Sequence, residues 1–352
     1  MSARLTRPDE GAGPDSPLPK RQPDGRADLI EGICTVTPEA ISLGRLADSP
    51  VDIPWPGWKS VLRRTAREII SDRISLVAAG CAFYGTLALF PAISMLLSIY
   101  GLVFDLVTVE PHLVVLQDLL PPSAYHLIEE RVHELVSRPP STLTLSLLVS
   151  TGITLWSAAT GTKSILSALN LAYEEQERRS LVRFQVTAFA MTLIALLGAA
   201  LGLALVVGLP GVLAFVGVTQ GVATLVRVGS LGLLMAFVVA SLSLLYRFGP
   251  SREAARWQWV TPGSLVATVL WLVVSVLFSF YVGHLSSYDA MYGSLGAVVG
   301  VMMWFYFTVY VVLLGAELNA ELELQTARDS TGGPPRPIGR RGAYVADHVA
   351  RN

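Results

Sequence analysis

Long apolar segments without Asp, Glu, Lys or Arg recur six times along this chain of 352 residues. A helix needs about 20 apolar residues to cross a bilayer, because lipid offers no partner for an unpaired backbone amide. The pattern therefore predicts an all-α, polytopic membrane protein with six transmembrane helices. The predicted spans lie near residues 74–104, 141–161, 185–207, 222–246, 260–282 and 293–316.

Composition agrees with this class. Hydrophobic residues make up 52% of the chain and charged residues 15%, whereas soluble domains carry about 25% charged residues. Cys34 lies in a polar tail and Cys81 in the first span. Neither a disulfide nor a paired-cysteine metal site is expected from that placement.

The distribution of Lys and Arg predicts the orientation. Eleven precede Ile74, five follow Ala327, and segments 163–183 and 247–256 carry four and three. The segment between the first two spans has only Arg131 and Arg138. By the positive-inside rule, both termini are predicted to be cytoplasmic.

The spans divide the chain into a six-helix membrane domain at 55–325 and two tails. Residues 1–54 and 326–352 are predicted to be disordered cytoplasmic tails, and the last helix is expected to continue to Gly332. Just before the first span, Trp58 opens an amphipathic pattern with bases such as Arg64 between its apolar positions. That helix fits the headgroup layer and packing on the bundle equally well.

Residues 105–140 form the predicted external segment, which is amphipathic after Ser123. His126, Glu130 and His133 share its polar face and are weak metal candidates. A solvated face is the favoured interpretation, because no fourth ligand is identifiable. No metal or cofactor is therefore expected.

Enzyme motifs are not found in the sequence. The stretch that ends in Gly161, Thr162, Lys163 and Ser164 is superficially similar to a phosphate-binding loop, but it lacks the first glycine at the required distance. We therefore expect neither an ATPase nor another enzyme, and no nucleic-acid partner.

Polar residues inside apolar segments are candidates for function. Pro91 interrupts the first span beside Tyr84, and Arg227 is the one charge within its region. Arg227 fits snorkelling to the headgroups and contact with an anionic ligand equally. Glu317 and Glu321 share a helix face at the end of the last span. Pairing with a cytoplasmic Arg and coupling to protons or cations are both open for them.

Glycine pairs at four-residue spacing let helices approach closely. Gly198 with Gly202, and Gly296 with Gly300, have this spacing, and Gly293 precedes the second pair. Tertiary packing and a homo-oligomer contact fit them equally.

Three stretches resemble the YihY/BrkB family of bacterial inner-membrane proteins. They are AFYGTLALFPAISMLLSIYGLVF (82–104), LWSAATGTKSILSALNLAYEEQERRSLVRF (155–184) and YGSLGAVVGVMMWFYFTVYVVLLGAELNAELE (292–323). The positions that match the family are Tyr84, Pro91, Trp156, Gly161, Asn170, Tyr173, Glu174, Tyr292, Gly293, Gly296, Glu317, Asn319 and Glu321. Ala88 and Thr160 depart from it, where relatives often have Ser and a basic residue.

The resemblance implies a multi-pass protein of the bacterial inner membrane, historically labelled a virulence factor and, by misassignment, ribonuclease BN. Two functions are compatible with these sequence features. The first is a transporter, exporter or lipid translocase for an unidentified solute or lipid, without its own ATPase. Its path would be lined by Tyr84, Pro91, Trp156, Asn170, Tyr173, Arg227, Tyr292, Glu317, Asn319 and Glu321. The second is a membrane scaffold or envelope-assembly factor in contact with membrane lipids.

Overall fold

The computed structural model describes residues 41–103, 144–205, 220–284 and 295–350, together with residue 209. These residues are almost entirely helical, with one isolated bridge between Ala255 and Thr331. The helices are α1 (Trp55–Ser71), α2 (Ile74–Val103), α3 (Thr144–Ala172), α4 (Leu181–Leu203), α5 (Gln220–Phe248), α6 (Trp257–His284), α7 (Leu295–Gln325) and α8 (Tyr344–Asp347).

Several helices are long and apolar enough to cross a membrane. Among the residues that the structure describes, four qualify, over Leu181–Gly202, Thr224–Phe248, Trp257–Tyr281 and Val298–Gln325, and α2 contains a shorter apolar stretch, Ile74–Leu89. An all-helical, multi-pass membrane protein is thus confirmed. The count of six spans and the side of the termini stay predictions.

Two helices extend beyond their predicted spans. The second span was predicted to end at residue 161, whereas α3 continues to Ala172. The last span was predicted to end at residue 316, whereas α7 continues to Gln325 and stops there, short of Gly332. The predicted external segment 105–140, with the metal candidates His126, Glu130 and His133, lies outside the described residues. So do Tyr292 and Gly293.

The six long helices pack in a ring that follows the chain order. Each of α2 to α6 contacts the next helix, and α7 closes the ring on α2. Helix α7 also contacts α1, α3 and α8. Its central position means that polar groups near its end face several elements at once.

The prediction of a disordered C-terminal tail is wrong for residues 326–350. Arg341 is 5% exposed, and its guanidinium donates hydrogen bonds to four backbone carbonyl oxygens, those of Ala327, Arg328, Arg336 and Ala346. These bonds close the segment into a compact cap. The composition, rich in Gly and Pro, gave no sign of this, because the order rests on long-range contacts.

The N-terminal tail also begins to fold earlier than predicted. Ala47 and Ile53 are buried and pack near Val61 of α1. The Ala327 backbone N–H donates to the Arg45 carbonyl, and Arg45 donates to the Ala350 carbonyl. Residues 41–54 are thus attached to the C-terminal segment rather than disordered.

One end of the ring is formed by α1, the 173–180 and 249–256 loops and residues 326–350. We call it the polar end.

Candidate functional site

Five polar side chains lie buried near the end of α7, inside the polar end. They are Glu317, Asn319, Glu321, Glu323 and Gln325, and each is at most 4% exposed. Because residues four apart share a helix face, Glu317, Glu321 and Gln325 lie on one face and Asn319 and Glu323 on another. The two faces meet different partners.

The first face meets α1. The Arg64 Nε donates to Glu321 Oε2 at 2.5 Å, and its Nη2 donates to Gln325 Oε1 at 2.7 Å. Arg64 Nη1 donates to the Ser60 hydroxyl at 3.0 Å. The sequence left contact with the headgroups and packing on the bundle equally open for α1, and Arg64 is buried between α1 and α7.

The second face meets the 249–256 loop. Arg252 donates from both terminal nitrogens to the two oxygens of Glu323, at 2.9 and 2.8 Å, and both side chains are fully buried. The guanidinium also stacks on the Tyr173 ring, 4.2 Å from its centroid. Burial alone would lower the pKa of Arg252, but the Glu323 carboxylate outweighs it and raises that pKa above its ordinary value.

Asn319 connects α7 to a proline within α6. Its Oδ1 accepts from the Gly263 N–H at 2.8 Å, and its Nδ2 donates to the Val260 carbonyl at 3.1 Å. These backbone groups flank Pro262, which has no N–H and disturbs helical pairing. Asn319 therefore stabilises this crossing rather than presenting a free amide.

The crossing also depends on glycine. A Cβ on Gly263 would collide with the Gly315 carbonyl oxygen and would meet the Asn319 side chain at 2.5 Å. Sequence reasoning missed this pair, because Gly263 and Gly315 lie on different helices and no spacing rule joins them.

Among the predicted packing glycines, Gly198 lies against Phe237 and Gly202 near Leu234. Gly300 has no atom within 4 Å of an added Cβ, and Gly296 is described only as helical backbone.

Glu317 differs from the other acids. It is 2% exposed, and its Oε1 has no hydrogen-bond partner. The charged groups that act on it most strongly are all carboxylates: Asp72, Glu321, Glu68 and Glu174. The Arg64 guanidinium makes its hydrogen bonds with other groups, including Glu321 one turn further along the same face.

The turns beside Glu317 contain the two non-glycine residues of the described chain that have positive φ. Arg73 has φ 51° in the turn between α1 and α2, and Glu174 has φ 56° just after α3. This left-handed conformation is uncommon for such residues. Asp72 precedes Arg73 in the first turn, and Glu174 itself lies in the second.

Asn170 has a structural role at the same end. Its Oδ1 accepts from the Ser251 N–H at 2.7 Å, and its Nδ2 donates to Glu177 Oε2 at 3.0 Å. Donation from the Arg179 side chain lowers the pKa of Glu177 to about 2. Asn170 therefore ties the 173–180 loop to the 249–256 loop.

The other predicted path residues within the described ranges are not brought together with this cluster. Tyr84 and Trp156 are 45% and 57% exposed, and Arg227 is exposed on α5. Pro91 is half-buried inside α2. Tyr84 shares its exposed face with apolar side chains such as Leu87. Among the predicted path residues that the structure describes, only Tyr173, Glu317, Asn319 and Glu321 converge at one place, with Asn170 beside them.

The departures from the family motif have local roles. Ala88 is buried and lies 3.3 Å from the position of a Cβ on Gly161, where α2 meets α3. Thr160 Oγ1 donates to the Trp156 carbonyl at 3.5 Å.

Comparison with known proteins gives one family. The family model described as Virulence factor BrkB matches residues 65–338. The chain is 32% identical to the ribonuclease-like protein YfkH of Bacillus subtilis (strain 168) over 70% of its own length and 88% of that protein. It is 28% identical to a UPF0761 membrane protein of Alkalilimnicola ehrlichii over 78% of its length and 61% of that protein. No solved structure matches.

Proposed function

The chain belongs to the virulence factor BrkB family of membrane proteins, and on that premise we propose that it transports a solute or an amphipathic lipid. The transport crosses the bacterial inner membrane and uses no ATPase of its own. The polar end lies in the cytoplasm, and six helices span the membrane.

The Glu317 carboxylate carries this proposal. A buried acid without a partner costs several kcal/mol of folding free energy. A protein that only holds neighbours together gains nothing from such a group, whereas a transporter can use it to bind and release a charge as its helices rearrange. The neighbouring acids make the contrast clear, because Glu321 and Glu323 each have a buried Arg.

A second candidate is the membrane scaffold or envelope-assembly factor. Its support is the extent of structural bonding at the polar end, where Asn170 and Asn319 are committed to backbone groups. Tyr84 and Trp156 on the outer faces of their helices would then contact lipid or a protein partner.

We do not extend the ribonuclease-like name of the Bacillus relative to this chain. The carboxylates near Glu317 repel the phosphates of a nucleic acid at that place, and the two Arg side chains buried beside them are paired, Arg64 with Glu321 and Arg252 with Glu323. Within the described ranges, no group of three or more His, Cys, Asp or Glu is placed to hold a metal ion that would reverse this repulsion.

Reversible cross-linking separates a transporter from a scaffold, because only a transporter must change its helix packing to work. The Ser243 and Ser264 hydroxyls lie 2.9 Å apart and join α5 to α6. Those of Thr162 and Thr192 lie 2.8 Å apart and join α3 to α4. Each pair is replaced by Cys in a background without Cys34 and Cys81.

The activity is measured in vesicles, as transbilayer movement of fluorescent phospholipid and release of entrapped solutes, and in cells, as rescue of a strain without the gene. We expect the protein to move phospholipid or solute across the vesicle membrane without ATP. Oxidation of at least one cysteine pair should abolish both this movement and the rescue in cells, and dithiothreitol should restore them. Full rescue of the strain by both oxidised proteins, with no movement of phospholipid or solute across the vesicle membrane, would establish the scaffold function instead.

A further inference from the structure

We infer that Glu317 is a proton-binding site, loaded and unloaded through the turn between α1 and α2. This inference rests on the proposed function and gives it an energy source, the proton gradient. It also separates Glu317 from Glu321, which the sequence treats as a pair.

Geometry separates Glu317 from the two paired acids that follow it on α7, Glu321 and Glu323. Its Oε1 is buried without a hydrogen-bond partner. The two buried cations nearest to the end of α7 are engaged elsewhere, Arg64 with Glu321 and Arg252 with Glu323. A carboxyl group in such a place takes up a proton rather than remain charged.

The groups that face Glu317 from the neighbouring elements are mostly acidic. Helix α1 contributes Glu68 and Asp72, and the end of α3 contributes Glu174. On α7 itself, Glu321 is the nearest acid. Arg252, which stacks on the Tyr173 ring, is bound to Glu323 on another face of α7.

A proton fits this site better than a metal ion does. No set of three or more acids, His or Cys in the part of the chain that the structure describes is arranged to hold a metal ion, whereas a proton needs a single carboxyl oxygen. The Tyr173 hydroxyl is also buried, with the Asn319 side chain beside it and the charges of Arg252, Glu323 and Glu317 nearby. Among the buried polar atoms of the described residues that have no hydrogen-bond partner, which include Thr65 Oγ1 and Arg252 Nε, Glu317 Oε1 is the one that belongs to an acid, and such a group calls for an explanation.

Exposure increases outward from the site. Glu317 is buried, Glu68 and Asp72 are half-buried, and Glu174 is exposed. We place the entry of the proton on this side of the site, through the turn between α1 and α2.

Carbodiimide labelling of the wild-type protein tests the site without any variant. Dicyclohexylcarbodiimide adds to a protonated carboxyl group in apolar surroundings, and mass spectrometry of the digested protein locates the adduct. We expect labelling at Glu317 that decreases at least tenfold as the pH rises through the titration of the group. Glu321, which is paired with Arg64, should stay unlabelled in the same sample.

Labelling of Glu321 with Glu317 unmodified at every pH would overturn the inference. Movement of lipid or solute in that case would leave the transporter proposal standing. Labelling of Glu317 in a protein that behaves as a scaffold in the cross-linking experiment would sustain the proton site and remove the proposed function. The two failures are thus distinguishable.

Discussion

Arg64 forms its ion pair with Glu321, with Nε and Oε2 2.5 Å apart, and not with Glu317 one turn earlier on the same face of α7. The pair joins α1 to α7 across 257 positions of sequence. It neutralises one of two similar acids and leaves the other in a buried site. The two acids of one sequence motif therefore have different roles.

The first prediction concerns the stability of this pair. Glu321→Gln should destabilise the protein by roughly 3–5 kcal/mol, because it leaves the Arg64 guanidinium buried without a counter-charge. The melting temperature of the purified protein in detergent measures the effect. The double variant Arg64→Met/Glu321→Leu, which removes both charges, should recover much of the loss. Equal melting temperatures of Glu321→Gln and the wild type would show that the Arg64–Glu321 pair contributes nothing to stability.

The second prediction concerns the crossing of α6 and α7. Gly263→Ala should cost about 1–3 kcal/mol through overpacking, since the new methyl group collides with Gly315 and the Asn319 amide. Gly300→Ala on α7 is the matched control, because nothing lies within 4 Å of its added Cβ. Melting temperatures in detergent compare the two. A stable Gly263→Ala together with a destabilised Gly300→Ala would refute this packing.

The third prediction concerns the C-terminal cap. Arg341→Ala removes hydrogen bonds to four carbonyl oxygens and should cost roughly 1–3 kcal/mol, because the carbonyl groups that become buried without a partner are penalised. Arg340→Ala alters an exposed neighbour and should change nothing. Limited proteolysis should cleave within residues 326–350 only in the Arg341 variant. Cleavage there in the wild-type protein as well would mean that the segment is disordered after all.

The fourth prediction concerns the orientation in the membrane. Reporter fusions after Glu110 and after Arg328 should report opposite sides, with the second in the cytoplasm, because Lys and Arg are concentrated on one side of every span. Reports from the same side would contradict the six-span topology.

The helices were predictable because their signal is local. An uncharged segment such as 257–288 excludes other structures in lipid, and α6 begins within a few residues of its predicted span. The end of α7 was less predictable. Acids at 317 and 321 were expected at the membrane boundary, and nothing in the sequence indicated that Glu323 would be fully buried beside Arg252.

The partners that create the polar end are remote in sequence. Arg64 lies among similar bases in α1, and only the packing of α1 on α7 distinguishes it from Arg63 and Arg67, which stay exposed. Arg341 follows a segment rich in Gly and Pro, a composition typical of disorder. Long-range pairing of this kind overrides local pattern, so the separation of Glu317 from Glu321 required the structure.

The measurement closest to the central claim is the response of substrate movement to a pH gradient in vesicles. Three proteins are compared: the wild type, Glu317→Gln, and Glu253→Gln, which alters an exposed acid paired weakly with Arg336. We expect the wild type and Glu253→Gln to be accelerated by the gradient. Glu317→Gln should melt at or above the wild-type temperature and yet lose the response. A folded Glu317→Gln protein that still responds to the gradient would contradict the account.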